Sequence, residues 1–98
     1  MRKVVITGLG VVTPLGGDLN SSWKNLISGK SGASSITKFD PAGYPCTIAC
    51  EVPLGDGLNA NDGSFNAEDW ISPKDQKKVD TFILYGIAAA EMALKDSG

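Results

Sequence analysis

Val4-Val5-Ile6-Thr7-Gly8-Leu9-Gly10-Val11-Val12, continued by Thr13-Pro14-Leu15-Gly16, follows the charged start Met1-Arg2-Lys3. The run is β-branched and apolar on both alternations, the pattern of a strand covered on both faces in a parallel or mixed central sheet. Such a strand needs neighbours. The charged start and short apolar run share the outline of a secretory signal. Gly8 and Gly10 interrupt the run, and no small-x-small cleavage site follows before Trp23. A buried strand in a soluble, cytoplasmic protein is therefore the expectation. No apolar run approaches the roughly 20 residues needed to span a bilayer.

Downstream, Asn20 or Ser21 can cap a short helix carrying Trp23, Leu26 and Ile27 at helical spacing, with Gly29 where a left-handed C-terminal residue belongs. Residues 30–46 read as an irregular connection anchored by Ile36, Phe39 and Tyr44. Ile48-Ala49-Cys50-Glu51-Val52 is a short strand candidate closed by Pro53. Residues 54–69, rich in Gly, Asn and Asp, read as a mobile polar surface loop.

The second helix has the clearest start. Ser72 can cap it, Pro73 suits its first turn, and Asp75 completes an S-x-x-[DE] box. The pattern predicts one helix running to Gly98. Its broad apolar face comprises Val79, Phe82, Ile83, Gly86, Ile87, Ala90 and Leu94, the stripe of a core-facing helix. Leu84, Ala88 and Met92 make the opposite side apolar too, which predicts that the C-terminal half is enclosed all round. Lys74, Lys77 and Lys78 lie away from the core-facing stripe, on the exposed first turns.

The bulk composition narrows the function classes. With 98 residues, 42% of them hydrophobic, the chain is an ordinary globular segment of one domain at most. Nine basic and 11 acidic residues give no global attraction to nucleic acid or anionic membrane. Cys46 and Cys50 stand as C-x3-C with no His anywhere, so no zinc set is complete and no metal is expected.

Two motifs imitate nucleotide sites. Gly8-Leu9-Gly10 follows a strand as a dinucleotide fingerprint does, but Thr13 replaces the third glycine and Pro14 follows where a helix should continue. Gly29-Lys30-Ser31 resembles the end of a P-loop, but Lys24 occupies the first-glycine position and the helix precedes the triplet. A helix cap and turn account for it. No cofactor is expected.

Five blocks in order carry a resemblance: VVITGLGVVTPLG at 4–16, SWKNLISGKSG at 22–32, KFD at 38–40, IACEV at 48–52, and ISPKDQKKVDTFILYGIAAAEMALKDSG at 71–98. Together the chain resembles the N-terminus of the bacterial 3-oxoacyl-(acyl-carrier-protein) synthase II family. The resemblance implies an α/β chain that is the N-terminal part of a thiolase-like fold: first central strand, short helix, short strand, long helix. It also implies a cytoplasmic homodimer acting in fatty acid synthesis, with acyl carrier protein as partner.

Family chemistry uses a Cys nucleophile to take an acyl chain as a thioester, and two His with backbone donors to support decarboxylation of malonyl-carrier protein. None of these is present in residues 1–98, and neither Cys46 nor Cys50 is assigned a catalytic role. The resemblance carries over a binding role instead. The family's carrier-docking patch includes basic residues at the start of this same helix, which match Lys74, Lys77 and Lys78. A bland account makes them solvated surface, yet cations near a helix N-terminus oppose the macrodipole by a few tenths of a kcal/mol each, so stability alone favours acids there. Two other function classes stay open: a chain-length-factor-like subunit of the same fold without the nucleophile, and a small nucleotide-binding α/β domain.

Overall fold

Asp18 starts the first helix, α1 (Leu19–Ile27), two to three residues before the expected Asn20 or Ser21. Its backbone is extended (φ −147°, ψ 174°) and its carboxylate accepts from the Ser21 N–H at 2.7 Å. Asp caps as well as Asn or Ser. Beyond Ser28, Gly29 takes the anticipated left-handed conformation (φ 78°). The Gly29 N–H bonds Leu26 O at 3.1 Å and the Lys30 N–H bonds Asn25 O at 3.0 Å, the paired bonds of a Schellman cap. Gly29-Lys30-Ser31 is thus a helix terminus, as its sequence context indicates.

The computed structural model describes all of residues 1–98. In it α1 is fastened through its polar side. Ser22, one of the few buried residues, shares a 2.8 Å hydrogen bond with Thr13 Oγ1 and donates to Gly16 O at 3.2 Å. Asn25 Nδ2 donates to Leu15 O at 2.6 Å. Trp23, Leu26 and Ile27 face solvent.

The region expected to be wholly irregular contributes a strand, β1 (Ala33–Ser35), which pairs antiparallel with β2 (Ile48–Cys50) in the register Ala33 to Cys50 and Ser35 to Ile48. β1 consists of one Ala and two Ser, with no apolar alternation to announce it. The pairing with β2 selects its conformation, not propensity.

Residues 54–69 are not a simple surface loop. Two single-turn 3-10 helices, Gly57–Asn59 and Ala67–Asp69, fold it on itself. Phe65 within it is only 2% exposed. Its N–H bonds Pro53 O at 2.6 Å and its carbonyl accepts from the Gly55 N–H at 3.1 Å. The loop supplies a core residue, which its polar composition conceals.

The predicted long helix is broken. α2 (Pro73–Gln76) starts where Ser72 and Pro73 place it, but ends after one turn, and α3 (Thr81–Asp96) restarts after Asp80 (ψ 163°). Val79, Asp80 and Thr81 are weak helix formers, and Asp is a preferred cap residue, so the break falls where propensity is lowest.

α3 also presents the opposite face from the one expected. Ala88 (0% exposed) and Met92 (7%) are its buried residues, and Tyr85 meets Phe65 edge to face with centroids 5.2 Å apart. Phe82, Ile83, Ile87 and Leu94 are open. The enclosure expected of the C-terminal half is therefore absent within this segment.

Residues 4–12 form no ladder with either strand. Gly8 abuts Ala93 and Ser97 of the α3 end, and Gly10 abuts Ala89, Met92 and Ala93. Two residues of this segment thus match four of the helix, about 6 Å in each case, so the segment lies extended and antiparallel along α3. Val4, Val5 and Ile6 remain exposed. The strand expected from the β-branched run lies without strand partners, because nothing else in residues 1–98 lies beside it.

Phe65, Ile71, Ala88 and Met92 make up the core. The accessible surface is 7220 Å², against about 5,300 Å² for a compact monomer of this mass. The Cα radius of gyration is 15.5 Å, where a closed domain of about 100 residues has about 13 Å. The segment leaves its main apolar faces uncovered.

Candidate functional site

The three lysines singled out by sequence are carried by α2 and the turn that ends it. Ser72 sits at the N-cap (φ −63°, ψ 147°), where its hydroxyl oxygen accepts from the Asp75 N–H at 3.4 Å and donates to Asp75 Oδ2 at 3.0 Å. Gln76 Nε2 donates back to Ile71 O at 2.9 Å, and Ile71 is buried. The short helix is therefore tied down at its base while its outer surface stays free.

Lys74, Lys77 and Lys78 are all exposed on this surface. Lys77 is the C-cap of α2, and Lys78 follows with its N–H bonded to Asp75 O at 3.1 Å. Only Lys78 has an acidic neighbour, Asp75 Oδ1 at 3.8 Å from its Nζ. The patch can attract an acidic surface.

Neither thiol is placed for catalysis. Cys46 and Cys50 are both free and exposed; Cys46 Sγ donates to Ile48 O at 3.3 Å, and Cys50 lies in β2 opposite Ala33. Neither stands at a helix N-terminus, where a thiolate would be favoured. No group of three or more His, Cys, Asp or Glu side chains is gathered to hold a metal ion. Gly8 and Gly10, the glycines of the dinucleotide-like motif, are spent on close approach to α3.

Sequence reading missed one polar node, at Glu51. Its carboxylate accepts from Thr37 Oγ1 at 2.7 Å, from the Thr37 N–H at 3.2 Å and from the Lys38 N–H at 3.3 Å. The Thr37 hydroxyl is the main cause that holds the Glu51 carboxyl below its ordinary value; partial desolvation opposes it, and the two backbone N–H groups and the Lys38 charge assist. The partners are 13 and 14 residues apart in sequence, so no local signal marks them.

The geometry thus describes scaffold plus a basic surface. The profile described as "Beta-ketoacyl synthase, N-terminal domain" matches residues 1–98. The chain belongs to the beta-ketoacyl synthase N-terminal domain family. This synthase domain is 52% identical over 98 residues to the 3-oxoacyl-[acyl-carrier-protein] synthase 2 of Rhizobium meliloti (strain 1021), covering all of the chain and 23% of that relative. It is 41% identical over 97 residues to the chloroplastic 3-oxoacyl-[acyl-carrier-protein] synthase II of Arabidopsis thaliana, covering 99% of the chain and 16% of the relative. Among solved structures, it matches the ishigamide ketosynthase/chain length factor with TM-score 0.77 and 36% identity, over 99% of the chain and 22% of that chain. The fold is accordingly the N-terminal part of a thiolase-like fold, and this synthase segment spans less than a quarter of each of these relatives. No helix is long and apolar enough to cross a membrane.

Proposed function

We propose that residues 1–98 are the N-terminal segment of a 3-oxoacyl-(acyl-carrier-protein) synthase, in which they supply scaffold and a docking surface for acyl carrier protein. The covalent chemistry belongs to residues outside them. The observation that carries this reading is the match of 52% over all 98 residues to a relative named as such a synthase. The parent enzyme then forms an acyl-thioester on a cysteine, releases CO2 from malonyl-carrier protein, and joins the resulting enolate carbon to the acyl carbonyl with expulsion of the thiolate. As the family resemblance implies, it works as a homodimer in the cytoplasm.

Lys74, Lys77 and Lys78 receive the acidic carrier on this reading. Their exposure, and their placement on a short helix anchored by Ile71 and capped by Ser72, support it. Exposed charges act mainly on encounter rate and salt sensitivity. In the full-length protein, Lys74→Glu with Lys77→Glu should reduce turnover of carrier-bound substrate by about tenfold at low salt and hardly touch a small acyl thioester. Unaltered relative use of the two substrates by a correctly folded variant would remove the docking assignment.

A chain-length-factor-like subunit is the second reading, favoured by the 36% identity to a solved structure named for both a ketosynthase and a chain length factor. A cysteine between a strand and a helix, followed later by two His, in the continuation of the reading frame separates the two.

A further inference from the structure

The chain has 9 basic and 11 acidic residues, yet its only ion pair lies within the proposed docking patch, between Lys78 Nζ and Asp75 Oδ1 at 3.8 Å. Lys74 and Lys77 have no acidic group within that reach. The carboxylate involved is not a free rotor, because its other oxygen accepts the Ser72 hydroxyl at 3.0 Å. Asp75 is therefore held by the same serine that fixes the start of α2.

We propose that Asp75 is a positioning residue that sets the strength of the basic patch by masking Lys78. This rests on the docking reading above. Two ammonium groups, on Lys74 and Lys77, face an incoming acidic partner unopposed. The third is paired at 3.8 Å with both side chains about two-thirds exposed, so Asp75 weakens its pull on a partner without cancelling it. All three lysines belong to the patch, but the pull of Lys78 on an acidic carrier is reduced while Asp75 stays paired with it. Asp75 meanwhile serves the first turn of α2 as cap partner and as a negative charge near the helix N-terminus. One carboxylate thus offsets both the unfavourable helix-end charge and the excess attraction.

The test is a double-mutant cycle on the full-length protein, with association of malonyl-loaded acyl carrier protein followed by stopped flow at low and moderate salt. Asp75→Asn keeps an amide oxygen to accept the Ser72 hydroxyl, so the cap survives while the charge is lost. It should raise the association rate about two- to fivefold at low salt and steepen its salt dependence. Lys78→Gln should lower the rate by less than about twofold alone, but by about two- to fivefold in the Asp75→Asn background. A purely structural role for Asp75 would not produce that coupling. An equal effect of Lys78→Gln in both backgrounds overturns the masking. Lys74→Glu with Lys77→Glu, run alongside, separates the two ideas. If that pair leaves the rate unaltered, the docking reading falls and the Asp75 inference with it. If it slows association while Lys78→Gln remains indifferent to background, the Asp75 inference alone is lost.

Discussion

Gly10 lies against the carbonyl of Ala89 on α3, so close that no side chain fits between the N-terminal segment and the helix. A Cβ at residue 10 would also stand 2.7 Å from Ala93 N and 2.8 Å from Met92 Cβ. These are backbone and buried core atoms, with little freedom to give way. The glycine pair Gly8 and Gly10 is therefore a packing device, in keeping with the Thr13 and Pro14 context that argues against a phosphate cradle.

Replacing Gly10 by Ala should push the segment off α3 and destabilise the full-length protein by about 1–3 kcal/mol, the usual cost of overpacking. A lowered urea midpoint with unchanged denaturant slope is the expected result. An unchanged midpoint would show that the segment and the helix can part at no cost.

Glu51 gives a pH dependence with a definite sign. Its folded carboxyl is held below 4.5, chiefly by the Thr37 hydroxyl. A depressed folded pKa means that the interaction is fully present above the ordinary value and is lost as pH falls through the lowered one. Protection of the Thr37 and Lys38 amides, taken relative to their intrinsic exchange at each pH, should persist down to the ordinary carboxyl range and fall only below it. Thr37→Ala should move the Glu51 titration back up toward 4.5. Protection at Lys38 that stays constant as pH falls through this range would rule out the clamp.

The open faces predict how residues 1–98 behave by themselves. Val4 and Ile6 on the first segment, Trp23 and Ile27 on α1, and Phe82, Ile87 and Leu94 on α3 are all exposed. The surface exceeds that of a compact monomer by about 1,900 Å². The isolated segment should bind a hydrophobic dye, associate in a concentration-dependent way and melt without a sharp transition. A monomer with a steep, concentration-independent melt would mean that the segment closes its own core.

What could be read from the sequence was what is decided locally. Ser72 and Pro73 mark the start of α2 and Gly29 ends α1, because caps and turns act over a few residues. Lys74, Lys77 and Lys78 fall on an exposed turn for the same reason. The strand expected over 48–52 is present but stops at Cys50, where its pairing with β1 ends. What could not be read depends on partners remote in sequence. β1 exists through its pairing with β2, Phe65 is buried by contact with Tyr85, and Glu51 finds Thr37 across a hairpin. The helical stripe at Phe82, Ile83 and Ile87 was identifiable as apolar, but its burial requires a surface that residues 1–98 do not provide. The break before Thr81 falls at the weak helix formers Val79, Asp80 and Thr81, inside an apolar period that runs on without interruption and hides it; Asp80 makes no side-chain cap bond.

The proposed function is that residues 1–98 support a condensation carried out by residues outside them. It is tested most directly by incubating acyl-carrier protein and malonyl-carrier protein with the full-length protein and, in parallel, with residues 1–98 alone, and detecting the 3-oxoacyl-carrier product by mass spectrometry. The account predicts product and CO2 with the full-length protein and none with the segment. Product formed by residues 1–98, or none formed by the folded full-length protein, would contradict it.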